Sequence, residues 1–402
     1  MEGSFEASSR SALAQRFAAI RQHTQARTGP LSAEDACVQS MADASPAKWH
    51  LAHTTWFFET FVLGGAEAPF DPEFAYLFNS YYEALGPRQP RPQRGLLTRP
   101  SLARVLEYRA AIDARIADLL RATSPAALAQ LAPLLELGLQ HEQQHQELIL
   151  TDILHLLAQN PTAPAYASDP PAAPCATKPL AWVAFPAAIA EIGIGETAAF
   201  FFDNEGPRHR VAIEPFKLAS RLVTNGEYLA FVEAGGYARA EFWLSEGWNL
   251  VRQAGWSAPL YWRRQHDGSW ASFGLGGLRP LDAAAPVANI SFHEATAYAA
   301  WVGARLPTEA EWEVAATANS SAFEQLFDSA WQWTRSAYSP YPRYRPAAGA
   351  VGEYNGKFMV NQLVLRGGSF ATPAGHTRPT YRNFFPADAR WQFAGIRLAA
   401  DL

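Results

Sequence analysis

Apolar residues recur at three- and four-residue spacing over 10–30, 46–64, 101–121 and 126–158, the period of a helix with one buried face. Four such runs predict an antiparallel four-helix bundle over residues 1–160, an ordinary domain size. Ser45-Pro46 opens the second run, with Ser45 placed to cap the helix and Pro46 at its first position. Ser101, after Pro100, is placed to cap the third. The pattern then breaks. Residues 161–180 are rich in Pro and Ala, which sustain neither a helix nor a central strand, and read as an extended linker. From residue 181 to 402 the long helical periods give way to short β-like runs, such as 209–213 and 362–366, among Gly, Trp and frequent turns. That half is predicted to be an irregular α+β domain, giving an α + (α+β) chain.

Composition narrows the function classes. The chain has 402 residues, more than one core usually supports, in keeping with two domains. A net charge of −5 with no Lys/Arg cluster lacks the footprint of a nucleic-acid binder. No apolar run approaches the roughly 18 residues needed to cross a membrane, and the start lacks a secretory pattern. Two cysteines, Cys37 and Cys175, cannot build a disulfide framework. The expectation is a cytoplasmic protein with no nucleic-acid or membrane partner.

The candidate chemistry lies in His141-Glu142-Gln143-Gln144-His145, inside the fourth helical run. An i, i+4 pair puts both imidazoles on one helix face, where they can share one metal ion. The spacing also matches the HExxH pattern of zinc proteases, whose Glu is a general base, but a helical bundle is the wrong setting for that chemistry. A third ligand is needed, and side chains of facing helices converge in a bundle core. The second run offers His50 and His53; His53, beside Trp56 and Phe57, is the better candidate, although periodicity alone does not separate the two. Three imidazoles suit Zn, Fe, Cu or Ni and leave coordination positions open.

Eight segments in order carry a resemblance: SPAKWHLAHTTWFFE, YLFNSYYEALGPR, HEQQHQELILTDILH, DNEGPRHRV, RLPTEAEWEVAA, WQWTRS, VLRGGSFATP and YRNFFPADARWQFAGIRLA. Over nearly its whole length the chain resembles the EgtB-type non-haem iron sulfoxide synthases of ergothioneine biosynthesis, and their selenium-handling SenA-type relatives of selenoneine biosynthesis. The resemblance implies an N-terminal DinB-like four-helix bundle and a C-terminal domain like that of formylglycine-generating enzymes, a C-type-lectin-like fold. It implies Fe(II) on His53, His141 and His145, and O2-dependent carbon–chalcogen bond formation at C2 of the hercynine imidazole. Glu142 then becomes a residue that orients a ligand or makes a structural contact. Formylglycine generation itself is excluded, because it needs active-site cysteines and none follows Cys175.

The same resemblance assigns substrate residues. Gln144 is expected to hydrogen-bond the hercynine imidazole, and Asn383, Phe384 and Phe385 to lie near its amino-acid end. Tyr81 and Tyr82 are the candidate proton donors, since a phenol of pKa about 10 stays protonated at neutral pH. Arg88, Arg91 and Arg94 are candidates for binding a donor carboxylate. Enzymes that use γ-glutamylcysteine carry an Asp and, four residues later, an Arg where this chain has Phe385 and Ala389, which argues against that donor. The stretch 316–330 is shorter than in the ergothioneine branch, which favours a selenosugar over cysteine. The rival reading is a DinB-type metal-dependent thiol transferase on the same histidines, without O2; a lectin-like binding module is disfavoured by the triad.

Overall fold

The computed structural model describes residues 2–65, 67–195 and 200–402, with only the backbone described for 2–9 and 350. The chain separates into two compact units, one extending to Thr162 together with Gly349–Val351, the other comprising Ala163–Ala348 and Gly352–Leu402.

The first unit is built from α1 (Glu2–Thr28), α2 (Ala47–Phe57), a short α3 (Phe74–Phe78), α4 (Leu102–Ala122) and α5 (Pro125–Ala158). The long helices α1, α2, α4 and α5 pack as a bundle, and their inward faces bury Phe17, Phe57, Phe58, Tyr108, Ile112, Ile116, Leu139 and Ile149. Helix α2 ends in a single π turn, Phe58–Val62. Gly138 explains how α5 meets it: a Cβ there would lie 2.6 Å from the Phe58 ring. Any larger residue would force the helices apart one turn before His141.

Two helix starts read differently from the sequence. Ser101 does cap α4, its Oγ accepting the Arg104 amide at 3.2 Å. Ser45 does not cap α2: Pro46 occupies the cap position and no side chain caps the turn. The Ser45 hydroxyl instead accepts from Arg94 Nη1 at 2.9 Å, and its amide donates to Asp152 Oδ2 at 2.8 Å. A buried arginine and a buried carboxylate outcompete the helix end for this serine.

Residues 161–181 contain no helix or strand until β1. Backbone hydrogen bonds from Tyr166 to Leu275 and from Ala176 to Ala284 tie the stretch to the second unit. That unit holds β1 (Trp182–Phe185), β2 (Ala188–Ile192), β3 (His209–Ile213), β4 (Phe216–Ala219), β5 (Trp262–Arg264), β6 (Trp270–Gly274), β7 (Gly277–Pro280), β8 (Trp331–Ala337), β9 (Leu363–Arg366), β10 (Asn383–Phe385), β11 (Ala394–Gly395) and β12 (Ala399–Asp401). Among the described residues these form sheets β1-β4-β12, β10-β9-β8-β11 and β5-β6-β7 and the hairpin β2-β3. Helices α6 (Asn225–Glu233), α7 (Ser245–Ala254), α8 (Phe292–Trp301) and α9 (Glu309–Ala318) complete it. Thr224, Ser291 and Thr308 close capping boxes on α6, α8 and α9. One core cluster gathers Phe185, Phe216, Leu218, Trp312, Phe323 and Leu326.

Candidate metal centre

Helices α2 and α5 run antiparallel, so positions that rise along one descend along the other. Phe57 meets His141, with ring centroids 4.7 Å apart, His53 meets both His141 and His145 at 5.0 and 4.8 Å, and His50 meets His145 at 5.1 Å. His53, His141 and His145 each present a ring nitrogen, all within 4.8 Å of one another, and all three side chains are buried. The Nε2 atoms of His53 and His141 stand 3.2 Å apart. Two nitrogens bound to one ion at about 2.1 Å, at right to tetrahedral angles, would be roughly 3.0–3.4 Å apart.

The donor chemistry also fits an ion. His53 Nδ1 lies 2.6 Å from the Phe78 carbonyl, which can only accept, so the proton is on Nδ1 and Nε2 keeps its lone pair. Burial holds the pKa of His53 well below the imidazole range, with the neighbouring His141 adding to the effect. Burial likewise lowers His145, helped by His141 and His53, and takes His141 to about 3. The triad is therefore neutral at pH 7, the state in which imidazole binds metal. Trp49 stacks on His53 at 4.5 Å and 12°, and Trp56 lies near-parallel to the same ring at 5.7 Å, so two indoles fix its plane.

Glu142 makes a structural contact. It is fully buried between two guanidiniums, accepting from Arg21 Nη1 at 2.9 Å and from Arg109 Nη2. Burial alone would raise its pKa, but Arg109 and Arg21 prevail and hold it at about 2. Arg21 also reaches Asp113 and Thr55, and Arg109 reaches Thr54, so one charge cluster clamps α1, α2, α4 and α5. Helical periodicity carries no signal for these arginines, because an arginine on a helix normally faces solvent.

The other candidates separate by place. Tyr82 is fully buried, its ring 5.7 Å from Trp56 and 4.7 Å from that of the half-buried Tyr81. Gln144 is half-buried on α5, next to His145. The three loop arginines do not form one cluster. Arg88 pairs with Glu83 at 2.6 Å in a partly exposed bridge, and exposed Arg91 donates to the Asp43 carbonyl at 2.5 Å. Arg94 alone is buried, lying 3.4 Å over the Trp49 ring with its Nη atoms on Ser45 and Ser80. Among the described residues no carboxylate pairs with it, and burial lowers its pKa well below the arginine range, with Arg91 and Arg88 contributing.

Asn383, Phe384 and Phe385 form β10 of the second unit, all partly buried. Phe384 stacks on Tyr338 at 4.1 Å and Phe385 meets Trp391 edge-on at 6.2 Å. Ala389 is fully buried. The stretch 316–330 is pinned into its own domain: Phe323 and Leu326 enter the core, Gln325 hydrogen-bonds the Leu222 amide and Pro174 carbonyl, and Arg397 donates to the carbonyls of Glu324 and Gln325.

A buried triad on a helical bundle, joined in one chain to a sheet-and-helix domain, defines a two-domain protein with a candidate metal centre. Residues 16–149 match the DinB superfamily, and residues 186–329 and 317–402 match the sulfatase-modifying factor enzyme 1-like domain family. The hercynine oxygenase of Mycolicibacterium smegmatis is 30% identical, with 89% of this chain and 91% of that protein covered. That of Mycobacterium tuberculosis is 29% identical over 91% and 93%. Ergothioneine biosynthesis protein 1 of Schizosaccharomyces pombe is 27% identical over 50% of this chain and 28% of its own length. The chain belongs to the EgtB-type, hercynine oxygenase family of enzymes.

Proposed function

We propose that the chain forms a carbon–chalcogen bond at C2 of the hercynine imidazole, using Fe(II) and O2, in the cytoplasm. The observation that carries this reading is the buried set of three neutral imidazoles from α2 and α5, in a chain whose relatives over about nine-tenths of their length are named hercynine oxygenase. Fe(II) on three imidazoles would supply open coordination positions for the donor and O2. The overall reaction balances with O2 as a four-electron acceptor. Two electrons come from replacing the imidazole C2–H and the donor chalcogen–H by a carbon–chalcogen bond, and two from adding one oxygen atom to the chalcogen; the other oxygen leaves as water.

The chain's own residues fill the remaining roles. His53, His141 and His145 hold the ion. Tyr81 or Tyr82 delivers a proton, Gln144 hydrogen-bonds the hercynine imidazole, and Asn383, Phe384 and Phe385 contact its amino-acid end. Arg94, a buried cation that among the described residues forms no ion pair, suits a carboxylate; hercynine carries one, so this residue does not choose the donor, and Arg88, paired with Glu83, and Arg91 would serve only at the surface. For the donor we favour a selenosugar over cysteine. The short, core-anchored stretch 316–330 supports that preference, and the apolar Phe385 with buried Ala389 supports rejection of γ-glutamylcysteine.

The test is to load metal-free protein with Fe(II) anaerobically, add hercynine with a selenosugar, cysteine or γ-glutamylcysteine, admit O2 and take mass spectra. The expected result is O2 uptake and a selenium-linked product in excess. Cysteine as the best donor would remove the argument from 316–330, and γ-glutamylcysteine would remove both donor arguments. Product without O2 uptake would instead support a DinB-type metal-dependent thiol transferase.

A further inference from the structure

His50 precedes His53 by one helical turn and is as deeply buried, 2% exposed, yet it is not one of the three converging ligands. Both of its ring nitrogens are engaged. Nδ1 lies 2.8 Å from His145 Nδ1, and Nε2 lies 3.0 Å from Asp152 Oδ2. Asp152 follows His145 by seven residues on α5, two turns along the same face, so His50 reaches across from α2 to bridge them.

The direction of each hydrogen bond follows from the last partner in the row. Asp152 Oδ2 already accepts the Ser45 backbone amide at 2.8 Å, so this oxygen acts as an acceptor and the proton between it and His50 sits on His50 Nε2. A neutral imidazole protonated at Nε2 is an acceptor at Nδ1. The proton between the two Nδ1 atoms therefore belongs to His145, and the lone pair of His145 is left on Nε2. Reversing the row would put the His145 proton on Nε2 and block that nitrogen as a ligand.

We infer that His50 and Asp152 are positioning residues: through the chain Ser45 N–H, Asp152, His50 and His145, they lock His145 in the tautomer whose Nε2 is free to bind the ion. Outer partners of ligand histidines commonly set tautomer and ring orientation in this way. The inference rests on the three-imidazole metal reading and adds to it two residues from outside the ligand set. Ser45 takes part as well, because its backbone, placed by the turn before α2, fixes which oxygen of Asp152 accepts.

The test uses the full-length protein and Co(II), a redox-quiet probe, titrated against a competing chelator. Folding is checked by circular dichroism and melting. His50→Phe, which keeps ring volume but accepts nothing, is expected to weaken Co(II) binding about ten- to a hundredfold. His50→Asn, whose amide oxygen can stand near Nδ1, is expected to recover most of that loss. Long-range nitrogen–proton spectra of the metal-free wild-type protein are expected to show His145 protonated on Nδ1. Finding that proton on Nε2 overturns the inference without any variant, as does wild-type Co(II) affinity in folded His50→Phe, or an equal loss in His50→Asn. Absence of Co(II) binding by the wild-type protein removes the metal reading itself, an outcome distinct from the others.

Discussion

Each half of the chain buries a cluster of charged and polar side chains, and the two clusters differ in whether they close. In the second unit Arg366 donates to Glu309 and Glu313 at 3.0 Å, Arg382 grips Glu309 through two nitrogens, and Arg390 meets Glu294. Among the described residues no carboxylate pairs directly with Arg397, yet carbonyls of Ala219, Glu324 and Gln325 and the Gln332 amide oxygen take its donors. These networks set each buried acid against an arginine and act as scaffolding. In the first unit Arg21, Glu142 and Arg109 pair in the same way, but the triad beside them brings together three neutral imidazoles rather than opposite charges, their ring nitrogens within 4.8 Å of one another, and Arg94 nearby lies over the Trp49 ring and donates to two serine hydroxyls and, among the described residues, to no carboxylate. A buried carboxylate between arginines is already balanced, whereas converging neutral imidazole nitrogens are a donor set that a metal ion would complete.

The sharpest way to break that contrast is to remove the open cluster. His53→Ala, His141→Ala and His145→Ala are each expected to lower metal content to a small fraction of one per chain, measured by atomic emission after Fe(II) loading. His155→Ala, at a ring that pairs with Ser40 at 2.7 Å, is expected to leave it unchanged. Full occupancy in His53→Ala would show that the convergence of the three rings is only packing.

Next in size is the effect of opening a closed cluster. Glu142→Gln and Glu309→Gln each remove the negative charge between two buried arginines, and breaking a buried pair from one side typically costs about 3–5 kcal/mol. Equilibrium urea denaturation should show losses of that order in both. Neither should abolish metal binding by the folded fraction. Loss of binding in Glu142→Gln at unchanged stability would mean that this carboxylate acts on His141 rather than on the bundle.

Acid separates the clusters by onset. The triad histidines have folded pKa values below the unfolded imidazole value of about 6.5. Above that pH both states are neutral and stability does not depend on them. As pH falls below it, the unfolded chain takes up protons that the folded triad refuses, so metal-free protein loses up to about 1.4 kcal/mol per pH unit for each histidine, continuing toward pH 3 for His141. Glu309 has the opposite sign of charge: burial would raise its pKa, but Arg382 and Arg366 lower it, so its contribution persists above the carboxylate range and is lost only as pH falls through it. Denaturation of metal-free protein at several pH values between 7.5 and 5 should therefore show a loss that shrinks when the three histidines are replaced by alanine, the remainder coming from His23, His155 and His293, whose pKa values burial also lowers.

The same contrast explains which features are legible in the sequence. The i, i+4 spacing of His141 and His145 and the apolar periods of α2, α4 and α5 are local signals, and the structure places these residues as the periods imply. Closure is a long-range property. Arg21, Arg109 and Glu142 lie 88 and 33 residues apart along the chain, and nothing near any of them announces its partners. The role of His50 depends on Asp152, 102 residues away, so spacing alone left it a rival of His53. Irregular strands such as β10 and β11 are short enough that turns hide them.

The smallest effect comes from two serines that look alike in sequence. Ser45-Pro46 and Ser124-Pro125 both stand at the start of a helix, yet only Ser124 caps, its Oγ accepting the Ala127 amide at 3.3 Å. Ser45→Ala leaves the backbone bond to Asp152 intact and deprives Arg94 of one buried acceptor, a loss of about 1–3 kcal/mol. Ser124→Ala removes an exposed cap, worth about 1 kcal/mol. The two should also differ in kind. Ser124→Ala lowers the melting temperature slightly and leaves Co(II) affinity and hercynine binding as they were, because α5 frays only at its far end. Ser45→Ala alters the surroundings of Arg94, so hercynine binding, followed by calorimetry, should weaken with little change in Co(II) affinity. If Ser124→Ala proved the more damaging to hercynine binding, Arg94 would belong with the closed clusters.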